Sequence, residues 1–103
     1  MMVSIFENII NIVRKRKSKP VQGSYTNRLL DDRLFCKEKV LEEINELIEA
    51  VEKDTNKVHE AADVIYHLMV FLEANDIKIE DILNELDKSN KRVPTTTTFL
   101  LKS

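Results

Sequence analysis

The stretch that decides the fold runs from Lys37 to Leu72 and reads KEKVLEEINELIEAV, EKDTN and KVHEAADVIYHLMVFL. In its first and third parts, apolar residues recur at spacings of three and four, which predicts two amphipathic helices. The polar segment 53–56 between them is short, which suits a tight reversal of the chain. The stretch is therefore expected to fold as an antiparallel helical hairpin.

Two pairs of carboxylates stand at equal distances from this turn. Glu43 and Glu46 are three residues apart, as are Glu60 and Asp63, so each pair lies on one helix face. In the folded hairpin the two pairs lie at the same height and can face each other. Clustered carboxylates raise one another's pKa, and a hard cation such as Mg²⁺, which prefers oxygen ligands, removes that cost. The alternative is that these residues only form a solvated helix face.

The composition predicts a single helical domain. The chain has 103 residues with one Gly and two Pro, and long stretches lack any helix breaker. We expect one all-α domain over residues 1–93, built as a helical bundle on the hairpin, and a loose C-terminal tail over 94–103. Because a hairpin of this size leaves an apolar stripe uncovered, dimerisation is expected to complete the bundle.

Three further helices follow from the periodicity outside the hairpin. The first covers residues 3–17, with Ser4 in the position of an N-cap. Thr26 is expected to cap a short second helix that continues through Phe35. The last is expected over residues 79–91.

The charge pattern says little about partners, because the net charge is −2. The basic run at 14–19 can be a nucleic-acid patch, a solvated helix end or a clamp for a phosphorylated small molecule. No apolar run approaches the roughly 20 residues of a membrane span. We expect no signal peptide, because the basic cluster follows the apolar stretch near the N-terminus instead of preceding it. The single Cys36 fits a reducing compartment. We expect a cytoplasmic protein with no nucleic-acid or membrane partner.

The two histidines, His59 and His67, lie close to the acidic positions in sequence. Either can ligate a metal or move protons. A hydrogen-bonded position at a helix contact is the favoured interpretation, since Mg²⁺ sites favour oxygen ligands.

Several motifs resemble a known family. Residues 39–46 followed by Glu60-Ala61-Ala62-Asp63 fit the EExxE…ExxD pattern of the all-α nucleoside-triphosphate pyrophosphohydrolase superfamily. The stretches GSYT at 23–26, KVxEE from Lys39 and AADVIYHL at 61–68 narrow the resemblance to the phosphoribosyl-ATP pyrophosphatases of histidine biosynthesis. It covers roughly residues 5 to 92. Where relatives often have a glycine, this chain has Asp31-Asp32-Arg33, which affects the expected shape of that loop.

The resemblance implies a homodimeric enzyme that hydrolyses 1-(5-phosphoribosyl)-ATP to 1-(5-phosphoribosyl)-AMP and pyrophosphate with Mg²⁺. The implied metal ligands are Glu43, Glu46, Glu60 and Asp63. Glu42, Glu43 and Glu46 are the implied catalytic residues, Glu42 holding the site or orienting water. Lys39 is implied to face the substrate phosphates. The remaining candidates for substrate binding are Ser24, Tyr25, Thr26, Arg16, Lys17 and Arg92.

Two alternatives stay open at this point. A housecleaning nucleotide pyrophosphatase of the MazG type would use the same carboxylates on ordinary nucleoside triphosphates. A non-catalytic helical interaction module would use the glutamates only as a charged face and the basic run to bind nucleic acid. The second alternative predicts salt-sensitive binding to DNA or RNA and no stabilisation by Mg²⁺.

Overall fold

The computed structural model describes the backbone of residues 2–92 and the side chains of residues 4–88. This part of the chain forms five helices and no strand, which confirms the all-α prediction. The expected tail over 94–103 lies outside the described residues. The helices are α1 (Met2–Ser18), α2 (Tyr25–Asp31), α3 (Arg33–Lys53), α4 (Lys57–Ala74) and α5 (Ile79–Arg92).

The hairpin of α3 and α4 is the centre of the fold, and α1 and α2 pack against α4. Its turn is made by Asp54 and Asn56, which both adopt left-handed backbone conformations with φ of 56° and 39°. Asp and Asn tolerate this region better than most residues. The backbone N–H of Thr55 donates to the carbonyl of Ala50 at 2.9 Å, which satisfies an otherwise unpaired carbonyl at the end of α3.

The helix starts differ from two of the predictions. Ser4 is not an N-cap, because α1 already begins at Met2. Ser24 rather than Thr26 caps α2, since Ser24 has extended backbone and its hydroxyl accepts from the backbone N–H of Asn27 at 3.2 Å.

The second helix is also shorter than predicted. It ends at Asp31, because Asp32 leaves the helical conformation and caps α3 instead. The Asp32 carboxylate accepts from the backbone N–H of Phe35 at 3.0 Å. Asp32 therefore separates α2 from α3 and starts the hairpin.

The core lies between α1, α2, α3 and α4 and is small. Its fully buried members are Val13, Leu29, Cys36 and Val70, with partly buried Ile9, Leu30, Phe35, Tyr66 and Phe71 around them. Cys36 is a free thiol in this core, and burial raises its pKa, so it serves as a packing residue.

A large apolar surface of the hairpin faces away from this core. We call it the outer face. Each of its side chains is at least a third exposed in the single chain. Its members are Leu41, Ile44, Ile48, Val51, Val58, Ile65 and Leu68.

None of the helices described by the structure combines the length and the apolar character needed to cross a membrane.

Candidate metal centre and active site

Three carboxylates meet where α3 and α4 lie side by side. Glu43 and Glu46 come from α3 and Glu60 from the first turn of α4, and one oxygen of each lies within 4.8 Å of the others. The antiparallel hairpin thus brings together three of the four carboxylates that the spacing had paired. We call this group the carboxylate triad.

Asp63 belongs to a neighbouring group rather than to the carboxylate triad. It combines with His59 and Glu60, whose ligand atoms also lie within 4.8 Å of one another. Nε2 of His59 is 3.4 Å from Oδ2 of Asp63 and 3.9 Å from Oε1 of Glu60. Glu60 is therefore shared by the two groups.

Glu43 is the member of the carboxylate triad that most needs a positive partner. Its side chain is buried, and its Oε2 has no hydrogen-bond partner, the one such buried atom among the described side chains. Burial, together with Glu46 and Asp63 nearby, raises the pKa of Glu43 to about 7, against the opposing charge of Lys39. An oxygen-only set with a buried, unpartnered carboxylate oxygen fits a hard divalent cation.

Lys39 lies one turn before Glu43 on α3. Its ammonium group is 3.2 Å from Oε1 of Glu42 and 3.8 Å from Oε1 of Glu43. Glu42 is exposed and does not belong to the carboxylate triad. Its contact with Lys39 holds the ammonium group beside the triad. Lys39 therefore places a positive charge beside the carboxylate triad.

The start of α2 docks onto α4 through two hydroxyl contacts. The Tyr25 hydroxyl lies 2.7 Å from Nε2 of His67, and the hydroxyls of Thr26 and Tyr66 are hydrogen-bonded to each other. The Tyr25 and Tyr66 rings also stack at 6.5 Å between centroids. These contacts place the 24–26 segment next to the turn of α4 that carries Asp63.

The match to a known family extends over most of the chain. A family model described as phosphoribosyl-ATP pyrophosphohydrolase matches residues 6–90. The chain belongs to the phosphoribosyl-ATP pyrophosphohydrolase family. This family membership favours the histidine-biosynthesis enzyme over the MazG-type and the non-catalytic alternatives.

Several curated relatives are similar over most of this chain. The phosphoribosyl-ATP pyrophosphatase of Clostridium acetobutylicum is 42% identical over 95 residues, which cover 86% of this chain and 84% of that protein. That of Methanococcoides burtonii is 39% identical over 92 residues, or 84% and 92% of the two chains. The histidine biosynthesis bifunctional protein HisIE of Pyrococcus furiosus is 39% identical over 86% of this chain, which corresponds to 43% of that protein. No solved structure matches the chain.

Lys17, in the last turn of α1, lies away from the carboxylates of this pyrophosphohydrolase. The Lys17 ammonium donates to Asp76 at 2.6 Å and to the carbonyl of Glu73 at 2.7 Å. Glu73 follows Glu60 by 13 residues on α4, which corresponds to about 20 Å along the helix. Arg16, the preceding residue, is half-buried on α1. The side chain of Arg92 lies outside the described residues.

Two contacts in this pyrophosphohydrolase site were not predicted from the sequence. The bond from Tyr25 to His67 joins residues that are 42 positions apart, and no local pattern signals it. The approach of His59 to Asp63 does have a local signal, because the two are four residues apart on one helix and so share a face.

Proposed function

We propose that this family member hydrolyses 1-(5-phosphoribosyl)-ATP to 1-(5-phosphoribosyl)-AMP and pyrophosphate at the carboxylates of α3 and α4. The proposed cofactor is Mg²⁺, held by Glu43, Glu46, Glu60 and Asp63. The observation that carries this assignment is the buried Glu43 carboxylate, whose Oε2 has no hydrogen-bond partner while other carboxylates lie beside it. A buried carboxylate without a partner destabilises the folded protein unless a cation neutralises it, so the burial of Glu43 favours a cation-binding site.

Hydrolysis of a phosphoanhydride depends on positioning and charge neutralisation more than on covalent chemistry. Mg²⁺, when bound, supplies positive charge against the phosphate oxygens. The protein adds Lys39, whose ammonium group lies beside Glu42 and Glu43 and can pair with a phosphate oxygen. Glu42 is exposed at the same place, where its carboxylate can orient a water molecule toward the substrate.

The remaining substrate contacts are proposed on the segment from Ser24 to Thr26. Tyr25 is 41% exposed, its hydroxyl contacts His67, and the charges of Lys39 and Glu43 act on its pKa, so its oxygen can meet a ligand near the carboxylates. Ser24 and Thr26 already have protein partners and can only share their hydroxyls. Arg16, Lys17 and Arg92 stay predictions as substrate ligands, and the pairing of Lys17 with Asp76 weighs against that role in the single chain.

We also propose that the protein is a cytoplasmic homodimer, joined through the outer face. The outer face exposes seven large apolar residues on α3 and α4, whereas the buried apolar core of the described residues has only six members. Large exposed apolar patches commonly mark protein–protein interfaces. The basic run is a poor nucleic-acid patch, because Arg14 and Lys17 are each paired with a carboxylate.

The test is the release of pyrophosphate from phosphoribosyl-ATP, with Mg²⁺ and with a chelator. We expect hydrolysis only with the metal. Glu46→Gln should lower kcat/KM by about 100-fold or more, because it removes a ligand of the ion. Exposed Glu52→Gln on the same helix, outside both ligand groups, is the matched control and should behave like the wild type. Unchanged turnover in Glu46→Gln would refute the site, and faster turnover of ordinary nucleoside triphosphates would refute the substrate.

A further inference from the structure

Three side chains of α2 line a cleft between this helix and the loop that precedes it. Tyr25, Arg28 and Asp31 are each three residues apart, so they follow one face of the helix. The loop over residues 20–24 lines the same cleft, which has a volume of about 640 Å³. A volume of this size is typical of a site for a small molecule. We call this space the α2 cleft.

The loop of the α2 cleft is held in place by the buried side chain of Asn27. Its Oδ1 accepts from the backbone N–H of Val21 at 2.8 Å, and its Nδ2 donates to the carbonyl of Arg16 at 2.8 Å. The backbone N–H of Ser24 also donates to the carbonyl of Val21, at 3.1 Å. Because these bonds fix the loop against α2, the cleft is preformed in the single chain.

Arg28 is the cation of the α2 cleft, and an aromatic ring fixes its orientation. Its guanidinium carbon lies 3.9 Å from the centroid of the Phe35 ring. Stacking covers a face of the planar guanidinium and leaves the N–H donors at its edge free to bind a ligand. Among the side chains described at 4–88, no carboxylate lies within ion-pair distance of Arg28, whereas Arg14 and Lys39 are both paired with glutamates. Arg28 can therefore take an anion from solution.

We propose that Arg28 is a specificity-determining residue, which binds the phosphate of the 5-phosphoribosyl group and so selects phosphoribosyl-ATP over ordinary nucleoside triphosphates. The inference rests on the proposed function and adds a binding position to it. A guanidinium group matches the geometry of a phosphate and can donate two parallel hydrogen bonds to it.

The neighbouring carboxylate favours a sugar monophosphate as the group bound in the α2 cleft. Asp31 lies one turn after Arg28 on α2 and lines the same cleft. Its carboxylate oxygens can accept hydrogen bonds from ribose hydroxyls. A triphosphate offers no such donors, and its larger negative charge would be repelled by Asp31.

Tyr25 connects the α2 cleft to the carboxylate site. Its hydroxyl is hydrogen-bonded to His67 of α4. Burial raises the pKa of Tyr25, and the charges of Lys39 and Glu43 also act on this group, so its hydroxyl lies near the carboxylate triad. Arg28 lies one turn farther along α2, a rise of about 4.5 Å.

A ligand that reaches both the carboxylate triad and the α2 cleft needs negative charge in two separate places. 1-(5-Phosphoribosyl)-ATP meets this requirement, because its triphosphate and its other phosphate are attached to different riboses. An ordinary nucleoside triphosphate carries only the first of these groups. The second phosphate is therefore the part of the substrate by which the α2 cleft can tell the two apart.

The first experiment measures steady-state hydrolysis of phosphoribosyl-ATP with Mg²⁺, and its inhibition by ATP. We expect Arg28→Gln to raise KM by about tenfold or more, because a charge-assisted bond to the substrate is lost. We expect kcat and the inhibition constant of ATP each to change by less than about twofold, since the contact is remote from the reacting phosphates and ATP does not make it. Arg28→Lys keeps the charge but loses the planar fork, so its KM should lie between those of the wild type and Arg28→Gln. Arg33→Gln removes an exposed arginine that does not line the cleft, and should behave like the wild type.

A second experiment needs neither metal nor turnover, and so separates this proposal from the proposed function. Ribose 5-phosphate is titrated onto the full chain with a chelator present, and NMR follows the Nε–H of Arg28 and the backbone N–H of Gly23. We expect both signals to shift, ribose without phosphate to shift neither, and Arg28→Gln to weaken the binding by about tenfold or more. Unchanged KM in Arg28→Gln, or equal affinity of this variant and the wild type for ribose 5-phosphate, would overturn the proposal. Binding of ribose 5-phosphate that depends on Arg28, in a protein that does not hydrolyse phosphoribosyl-ATP, would support the sugar phosphate position and refute the proposed reaction alone.

Discussion

The hydroxyl of Tyr25 lies 2.7 Å from Nε2 of His67, and a second hydrogen bond of the His67 ring decides which of these two atoms is the donor. Nδ1 of His67 lies 2.7 Å from the backbone carbonyl of Asp63, which can only accept a hydrogen bond. Neutral His67 is therefore protonated on Nδ1, and Tyr25 donates to Nε2. Since partial burial raises the pKa of Tyr25, the phenol keeps its proton for this bond. Toward a substrate, Tyr25 can then act only as an acceptor.

Removal of this hydroxyl tests the link between α2 and α4. Tyr25→Phe leaves Nε2 of His67 without its donor, so we expect a loss of about 1 kcal/mol in the free energy of unfolding. We also expect kcat/KM to fall by roughly tenfold, since a bond in an active site that fixes the position of its neighbours typically contributes about that much. Urea unfolding and steady-state kinetics measure the two effects.

Tyr66→Phe is the matched control for that variant. It also removes a hydroxyl that bonds to α2, through Thr26, but it leaves the bond between Tyr25 and His67 in place. We expect a similar loss of stability with a smaller effect on kcat/KM. If both variants lost activity equally, the contact would be only structural.

The hairpin and the paired carboxylates could be predicted because they depend on local periodicity. Spacings of three and four place Glu43 with Glu46 and Glu60 with Asp63, and a turn midway brings the pairs level. The spacing does not say how far each side chain reaches, so the separation of Asp63 from the carboxylate triad could not be foreseen.

Contacts between distant elements could not be predicted from the same pattern. Lys17 pairs with Asp76 because the end of α1 lies against the end of α4, and periodicity gives no information on such packing. The N-cap of α2 could not be identified from the sequence pattern either. Ser24 and Thr26 both carry a suitable hydroxyl, and only the extended backbone of Ser24 decides between them.

The buried charge of Glu43 predicts an unusual effect on stability. Its pKa is raised to about 7, so above that pH the metal-free protein holds a carboxylate that is unfavourable in the folded state. Glu43→Gln should therefore stabilise the metal-free protein at pH 8, by roughly 1–3 kcal/mol. The same variant should lose the rise in Tm that Mg²⁺ gives the wild type. Thermal unfolding with Mg²⁺ and with a chelator measures both effects.

The stabilisation of the metal-free protein by Glu43→Gln should depend on pH, because the pKa of Glu43 is raised in the folded state. As the pH falls from about 7 toward 4.5, wild-type Glu43 takes up a proton in the folded state, and its disadvantage against Glu43→Gln should shrink. A variant less stable than the wild type at pH 8 without metal would contradict the prediction. Glu46→Gln, at an exposed member of the carboxylate triad, should stabilise the metal-free protein less.

A charge on the outer face should separate the proposed dimer. Ile48 is 51% exposed on that face, and Ile48→Glu would place a carboxylate in an apolar interface. We expect the variant to sediment as a monomer at concentrations where the wild type is a dimer. Leu86→Glu on α5 makes the same chemical change at a residue of similar exposure, 47%, and should remain dimeric. A dimeric Ile48→Glu protein would place the interface elsewhere.

The contact of Arg14 with Glu80 predicts how the packing of α5 responds to acid. The guanidinium donates to both oxygens of Glu80, at 2.7 and 3.0 Å, and to Glu73 at 3.0 Å. Hydrogen bonding to Arg14 lowers the pKa of Glu80 from 4.5 to about 2. A lowered pKa stabilises the folded state above the unfolded value, and this contribution disappears as the pH falls from about 4.5 toward 2. We therefore expect the Tm difference between the wild type and Glu80→Gln to be constant above that window and to vanish within it.

The Tm difference between the wild type and Glu80→Gln should be small and should decrease with salt, because Glu80 is exposed. Exposed Glu38→Gln on α3 is the control and should give no such pH-dependent difference. If Glu80→Gln matched the wild type at neutral pH and low salt, the contact would contribute nothing to the attachment of α5.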